Sequence, residues 1–302
     1  MHSPHSPHSA QSSHTPSDSI FDHCPVGCLS PLEDTSIALA EGVLKKCPDC
    51  GQLLSSCSKA WFDESMQEFD VPEGTLPSGR NKQRYHQRMG KILNQAKLLI
   101  SSPSTDQPPR LLDVGCSSGA LLRVAKACAY DASGAEPATK AADTARALGF
   151  EVFPGFLQDA SLPDNHFDVI TLFEVIEHLL EPQELLLEIL RILKPGGVLL
   201  IGTGNADSWT VDFMGADWEY FDIRSHGGHI SFFNPKSMAR LTEQCGFKVE
   251  SINTKRVNIR ERKNASKAMY EVVKVTREIL AMPARWSDKG HDMLATLKKP
   301  EQ

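Results

Sequence analysis

"RLLDVGCSSGALLRVAKA", Arg110 to Ala127, is the stretch that decides how this chain folds. A short apolar run leads into a glycine-bearing turn, and the turn leads into a run with helical apolar spacing. Asp113, Gly115 and Gly119 form D-x-G-x-x-x-G. Gly115 permits a tight turn and close approach of a ligand. A helix starting near Ser118 points its first backbone N–H groups at whatever sits there. A second strand around "YDASGAE" ends in Glu136, seventeen residues after Gly119. An acid at that strand tip can accept both hydroxyls of a ribose. A glycine-rich turn alone is weak; the strand before it, the helix after it and the acid at this distance make it a nucleotide-type loop. The middle glycine of the dinucleotide G-x-G-x-x-G pattern is absent, which disfavours a nicotinamide-dependent oxidoreductase.

Outward from this loop the chain alternates helix and strand. "RYHQRMGKILNQAKLLI" has helical spacing of apolar residues upstream. Strands are expected near 111–115, 130–135, 150–153, 168–173, 198–203, 247–254 and 291–298. With helices between them the fold class is α/β: a doubly wound, mostly parallel seven-stranded sheet. Ligand then binds outside the carboxyl ends of the strands, where strand order reverses. In "LKPGGVLLI" the glycines serve a turn into a buried strand.

Residues 85 to 255 resemble the class I S-adenosylmethionine-dependent methyltransferases, which have a Rossmann-like fold. The resemblance rests on the loop above, on "HFDVITLFEVIEHL", on "EILRILKPGGVLLIGTGN" and on "HISFFNPKSMARLTEQCGF", in the family's order. It is nearest to the ubiquinone-biosynthesis type O-methyltransferases and to sugar or natural-product methyltransferases with an N-terminal zinc-binding segment. The resemblance implies that Asp113 and the turn Gly115–Gly119, Cys116 included, hold the methionine part of S-adenosylmethionine. Glu136 would hold the ribose, with Phe156 and Leu157 of "GFLQDA" walling the adenine. The family often has an acid at the place of Phe156; here the nearest, Asp159, stands three positions later. Phe173 and Glu174, at the end of the fourth strand, would complete the cofactor site.

"FEVIEH", Phe173 to His178, sets Glu174, Glu177 and His178 on one face of a helical turn. Related quinone-pathway enzymes share E-x-x-E-H, with a proposed divalent metal; the alternative is that the glutamates shape the loop around His178. His229, in "HGGHISFF", belongs to residues 204–234, a connection rich in aromatics and long for a crossover, expected to be a substrate cap. His178 and His229 are the candidate catalytic residues. One would take the acceptor proton, with His229 favoured because it lies in the variable cap. Residues 255–280 carry eight Lys or Arg against three Glu, with helical apolar spacing. Such a helix packs on its own domain, or touches a membrane surface or anionic partner.

Upstream, "HCPVGC" and "KKCPDCG" supply Cys24, Cys28, Cys47 and Cys50, with eighteen residues between the pairs. Two close cysteine pairs at that separation predict a structural Zn²⁺ site. A segment of this size cannot bury enough surface to fold without one. Residues 1–20 are expected to be a disordered His/Ser/Pro-rich tail, 21–60 a small zinc-ribbon-like module, 61–83 a linker, and 84–302 the methyltransferase domain. Net charge is −6 and charged residues are 23% of 302, which excludes nucleic-acid binding by bulk charge. No apolar run reaches the roughly 18 residues that span a bilayer. No apolar leader is evident, so the expected location is cytoplasmic, without stable membrane insertion but open to peripheral contact. The expectation is methyl transfer from S-adenosylmethionine to a small-molecule or sugar acceptor, at oxygen. The alternative is a non-catalytic cofactor-fold protein that docks a partner through its zinc module. Oligomeric state has no sequence signature.

Overall fold

Between residues 110 and 298 the alternation of buried strands and half-apolar helices closes into one sheet. The computed structural model describes residues 19–67, 76–101, 106–223, 228–258 and 267–301. Three short strands come first: β1 (Glu33–Leu39), β2 (Gly42–Lys46) and β3 (Leu53–Leu54). Helices α1 (Lys59–Gln67) and α2 (Gly79–Leu99) lead to the large sheet. That sheet then alternates as β4 (Arg110–Val114), α3 (Ala120–Ala127), β5 (Asp131–Ala135), α4 (Thr139–Ala147) and β6 (Glu151–Phe153). Its second half is β7 (Phe167–Phe173), α5 (Pro182–Ile192), β8 (Leu193–Gly204), α6 (Trp209–Met214), β9 (Ser231–Phe232), α7 (Pro235–Gln244), β10 (Lys248–Lys255), α8 (Lys267–Trp286) and β11 (Asp292–Lys298).

The order across the large sheet is β10-β11-β8-β7-β4-β5-β6. β4 pairs in parallel with β5 on one side and β7 on the other, so strand order reverses there. Only β11 runs against the rest, pairing antiparallel with both β8 and β10. Six of the seven strands lie within a residue of their expected bounds. The fifth, β8, starts earlier because Leu193 already pairs with Phe167. Alternate residues feed opposite faces. Leu112, Ile170, Leu199 and Ile201 meet α5 and α7 on one face, while Leu111, Val169, Val198 and Leu200 meet α2 and α3 on the other. Covered on both faces, β7 is buried from Phe167 to Leu172.

Two expected boundaries change. The proposed linker 61–83 is largely helix where it is described: α1 runs to Gln67 and α2 begins at Gly79. Residues 68–75 of that linker, 1–18 of the tail and 224–227 of the cap lie outside the described residues. The cysteine module is also not a separate body. β3 pairs with β9, joining β1 and β2 in a four-stranded sheet that borrows its edge from the carboxyl half of the chain. The four cysteines belong to the same buried cluster as Leu112, Ile176, Phe233 and Met238. A small segment that cannot bury enough surface alone has used the larger domain's surface instead.

Candidate active site

The turn after β4 and the loop after β7 meet at the carboxyl edge of the sheet, where strand order reverses. Gly115 has φ +74°, and a Cβ there would stand 2.4 Å from Val175 Cγ2. No other residue allows both that backbone and that approach. Gly119 (φ +80°) caps α3, whose first amides open onto the same edge. Ser117 (φ +45°) and Glu174 (φ +54°) hold the left-handed region without being glycine, a strain that concentrates at functional sites.

Asp113 is buried, with Thr171 Oγ1 donating to its Oδ1 at 2.7 Å. Burial pushes its pKa up to about 7; the Thr171 hydroxyl opposes this and the charge of Glu136 adds to it. Glu136 accepts the Ser117 and Ala138 amides, each at 2.8 Å, and so ties the tip of β5 to the turn. Two carboxylates thus face one loop with no cationic side chain bonded to Asp113 among the described residues. That donor set fits a ligand bringing a cation to Asp113 and hydroxyls to Glu136. From α2, Tyr85 is raised by burial and then by the charge of Asp113, and Arg88 only slightly offsets the burial that raises Glu174.

Other predicted cofactor residues turn away. Cys116 packs into the core with Leu122, Ala142 and Phe150, leaving only its backbone at the turn. Leu157 is buried in the main core, and Phe173 packs behind the sheet edge against Gly202. Phe156 is exposed.

On the other side of the edge, His178 and His229 stand together, rings 4.7 Å apart. His229 is 3% exposed; its Nδ1 lies 3.2 Å from the Tyr220 carbonyl and its Nε2 3.7 Å from Glu177 Oε1. Burial raises the pKa of Glu177 well above the usual carboxylate range, and the nearby Glu174 adds to the rise. Glu174 is also raised by burial, against the Tyr220 hydroxyl that donates to it. Tyr220 and Trp218 stack at 5.0 Å, and Trp218 Nε1 donates to the buried His291 Nδ1 at 3.3 Å. Sequence reasoning missed Tyr85, Arg88, Tyr220 and His291; only the aromatic density of residues 204–234 hinted at one of them. The donor atoms of Glu177, His178 and His229 all lie within 4.8 Å of one another, so His229 rather than Glu174 joins the E-x-x-E-H pair.

The four cysteines are buried, their sulfurs within 4.8 Å of one another, with Cys24 and Cys50 at 3.7 Å. Zn–S bonds of about 2.3 Å give tetrahedron edges of about 3.8 Å. Both turns have the required glycine, Gly27 and Gly51, each donating its N–H to the first cysteine's carbonyl. Four buried sulfurs gathered at near-tetrahedral spacing are a donor set that a divalent cation fits. A cleft of about 490 Å³, lined by Arg110, Tyr130, Glu151 and His166, runs along β5 and is lined by none of these acids, histidines or cysteines.

A family model described as a methyltransferase domain matches residues 82–252, 171 of the 302 residues. The chain is 28% identical over 155 residues to a ubiquinone biosynthesis O-methyltransferase of Thiobacillus denitrificans, covering 47% of this chain and 66% of that protein. It is 31% identical over 127 residues to a Cereibacter sphaeroides protein of the same description, covering 39% of this chain and 51% of that one. The match thus spans between half and two thirds of these relatives' own lengths. A S-adenosylmethionine-dependent methyltransferase of Archaeoglobus fulgidus shares the fold, with TM-score 0.50 and 20% identity over 71% of this chain and 94% of that one.

Proposed function

Because the chain belongs to this methyltransferase-domain family, within the class I S-adenosylmethionine-dependent methyltransferases, we propose that it transfers a methyl group from that cofactor to a small-molecule acceptor at oxygen. The observation that carries this is the pairing, at one sheet edge, of the Asp113–Glu136 loop with the Glu177–His229–His178 group. When bound, the cofactor supplies an electrophilic sulfonium methyl. Asp113 would hold the ammonium of its methionine part, and Glu136, at the tip of β5, the ribose hydroxyls. Glu174, clasped by Tyr220, closes the edge between cofactor and cap.

A hydroxyl acceptor needs a base, and burial shifts that role from His229 to His178. His229 has both ring nitrogens facing acceptors, the Tyr220 carbonyl and Glu177, so it is committed to shared protons. His178 is the less buried ring and stands against it. We assign His178 the acceptor proton and His229, packed against it, its orientation. The matched relatives are named as O-methyltransferases, which supports oxygen as the site. The alternative is a non-catalytic cofactor-fold protein that docks a partner through its zinc module, and absence of methyl transfer with cofactor binding retained would favour it. Cys24, Cys28, Cys47 and Cys50 hold a structural zinc in this proposal.

The test is transfer of labelled methyl to a panel of phenols, catechols and sugars, with calorimetry for the cofactor. Glu136→Ala should weaken S-adenosylmethionine binding by about ten- to a hundredfold. His178→Gln should lower turnover by about 10²–10⁴-fold with cofactor affinity unchanged. Absence of cofactor binding by the wild type would overturn the proposal; full turnover in His178→Gln would leave alignment alone as the source of catalysis.

A further inference from the structure

The indole of Trp218 is buried, and a buried indole N–H needs an acceptor. Its Nε1 donates to Nδ1 of His291 at 3.3 Å. An indole nitrogen can only donate, so this Nδ1 carries the lone pair and the ring proton is on Nε2. Nε2 faces two acids, Asp292 Oδ1 at 3.8 Å and Glu219 Oε1 at 3.9 Å. Burial lowers the pKa of His291; Asp292 and Glu219 oppose this, and Arg256 and Arg277 add to it. The ring is therefore neutral near pH 7. A second ring proton would sit at Nδ1, directly against the indole N–H.

His291 is anchored through its backbone. Its N–H donates to the Arg256 carbonyl at 2.7 Å, and its carbonyl accepts the Asn205 N–H at 2.8 Å. It thus ties the end of β10 and the residue after β8 to the start of β11, at the carboxyl edge of β8. Trp218 carries that position inward. Its ring stacks on Tyr220 at 5.0 Å and 15°, and Phe221 meets it edge to face at 4.8 Å. Gly204, at the end of β8, lies under both stacked rings, and a Cβ there would stand 2.9 Å from each.

Tyr220 then meets the candidate site in three ways. Its hydroxyl donates to Glu174 Oε2, its carbonyl lies 3.2 Å from His229 Nδ1, and its ring lies 4.9 Å from the His229 ring. His229 packs in turn on His178. We propose that His291 is a positioning residue for the acceptor edge: its Nδ1 lone pair holds Trp218, and the stack holds Tyr220 against His229 and Glu174. The assignment rests on the reading of this edge as the acceptor site. The His291 ring bonds Trp218 and no residue assigned to the cofactor or to the acceptor proton, so it acts through the stack.

The test uses three variants of the full chain. His291→Leu leaves the indole N–H without its acceptor, Trp218→Phe removes the donor and keeps a ring for the stack, and His291→Asn offers an amide oxygen near the place of Nδ1. With the best methylated member of the phenol, catechol and sugar panel, His291→Leu and Trp218→Phe should each lower kcat/KM for the acceptor by about tenfold. Calorimetry should show S-adenosylmethionine affinity unchanged in both, which also shows that they fold. The double variant should lose no more than either single one, because both break the same interaction. His291→Asn should recover most of the loss. The imidazole NMR signals of His229, assigned by their loss in His229→Gln, should move in His291→Leu and return in His291→Asn. If no member of the panel is methylated, the function proposed above fails, while the His229 signals still decide this inference. Losses that add in the double variant, wild-type kcat/KM in both single variants, an equal fall in cofactor affinity, or His229 signals unmoved in His291→Leu would each overturn the proposal.

Discussion

Asp113 shows what single residues contribute and conceal. Its carboxyl, held near 7 in the folded protein against about 3.9 unfolded, keeps its proton where the unfolded chain has lost it. Stability contributed by that group is therefore lost as pH rises from about 4 to about 7. Asp113→Asn keeps an acceptor for the Thr171 hydroxyl and removes the buried charge. It should match the wild type in urea unfolding at pH 4 and exceed it by on the order of 4 kcal/mol at pH 8. It should also lose most cofactor affinity, since no charge remains for the ammonium. The wild type should bind S-adenosylmethionine more tightly as pH rises through about 7, and a pH-independent affinity would remove Asp113 from that role. The motif made Asp113, Gly115 and Glu136 legible, because each is fixed by spacing from a strand end. It could not show that Cys116, Leu157 and Phe173 face inward. A linear pattern gives the position of a residue on the edge, whereas the pleat and the packing partners decide its direction.

At the scale of elements, β3 and β9 matter more than their length suggests. Each has two residues, too few to show a period of two, and their pairing joins positions far apart in sequence. Ser55 donates to the Ile230 carbonyl, and Ile230 donates to the Glu177 carbonyl. The backbone on either side of His229 and Glu177 is thus held by the strand that follows the cysteine turns. Asn234 caps α7 and donates to the Cys50 carbonyl, a second tie between the metal-type turn and the site. Removing zinc, or substituting Cys47→Ser, should loosen the His229–Glu177 alignment before it disturbs the turn after β4. Turnover should fall at least tenfold, with a smaller loss of cofactor affinity. Calorimetry and methyl-transfer rates on the same metal-depleted sample decide this; parallel losses would mean that the cysteines support the whole edge alike. The large-sheet strands were legible because buried runs alternate with helices of ordinary length. The helix α1 was not, because "KAWFDESMQ" is short and lies beside residues rich in turn formers.

For the whole molecule, the shared core changes how the protein should come apart. A zinc module with its own core would melt first and leave the large sheet standing. Here Cys24, Cys28, Cys47 and Cys50 pack with residues of β4, β7 and α7, and β9 completes their sheet. The cysteine turns cannot open without exposing part of that interior, so their unfolding and that of the sheet are energetically coupled. On heating, release of zinc to a chromophoric chelator should coincide with loss of near-ultraviolet circular dichroism. By the proposal above, S-adenosylmethionine binds the folded protein and not the unfolded chain. At about a hundred times its Kd it should add about 2.7 kcal/mol and delay both signals together. Zinc release several degrees ahead of the circular dichroism change, unmoved by cofactor, would instead establish an independent module, and the positioning of His229 by β3 would then need another cause.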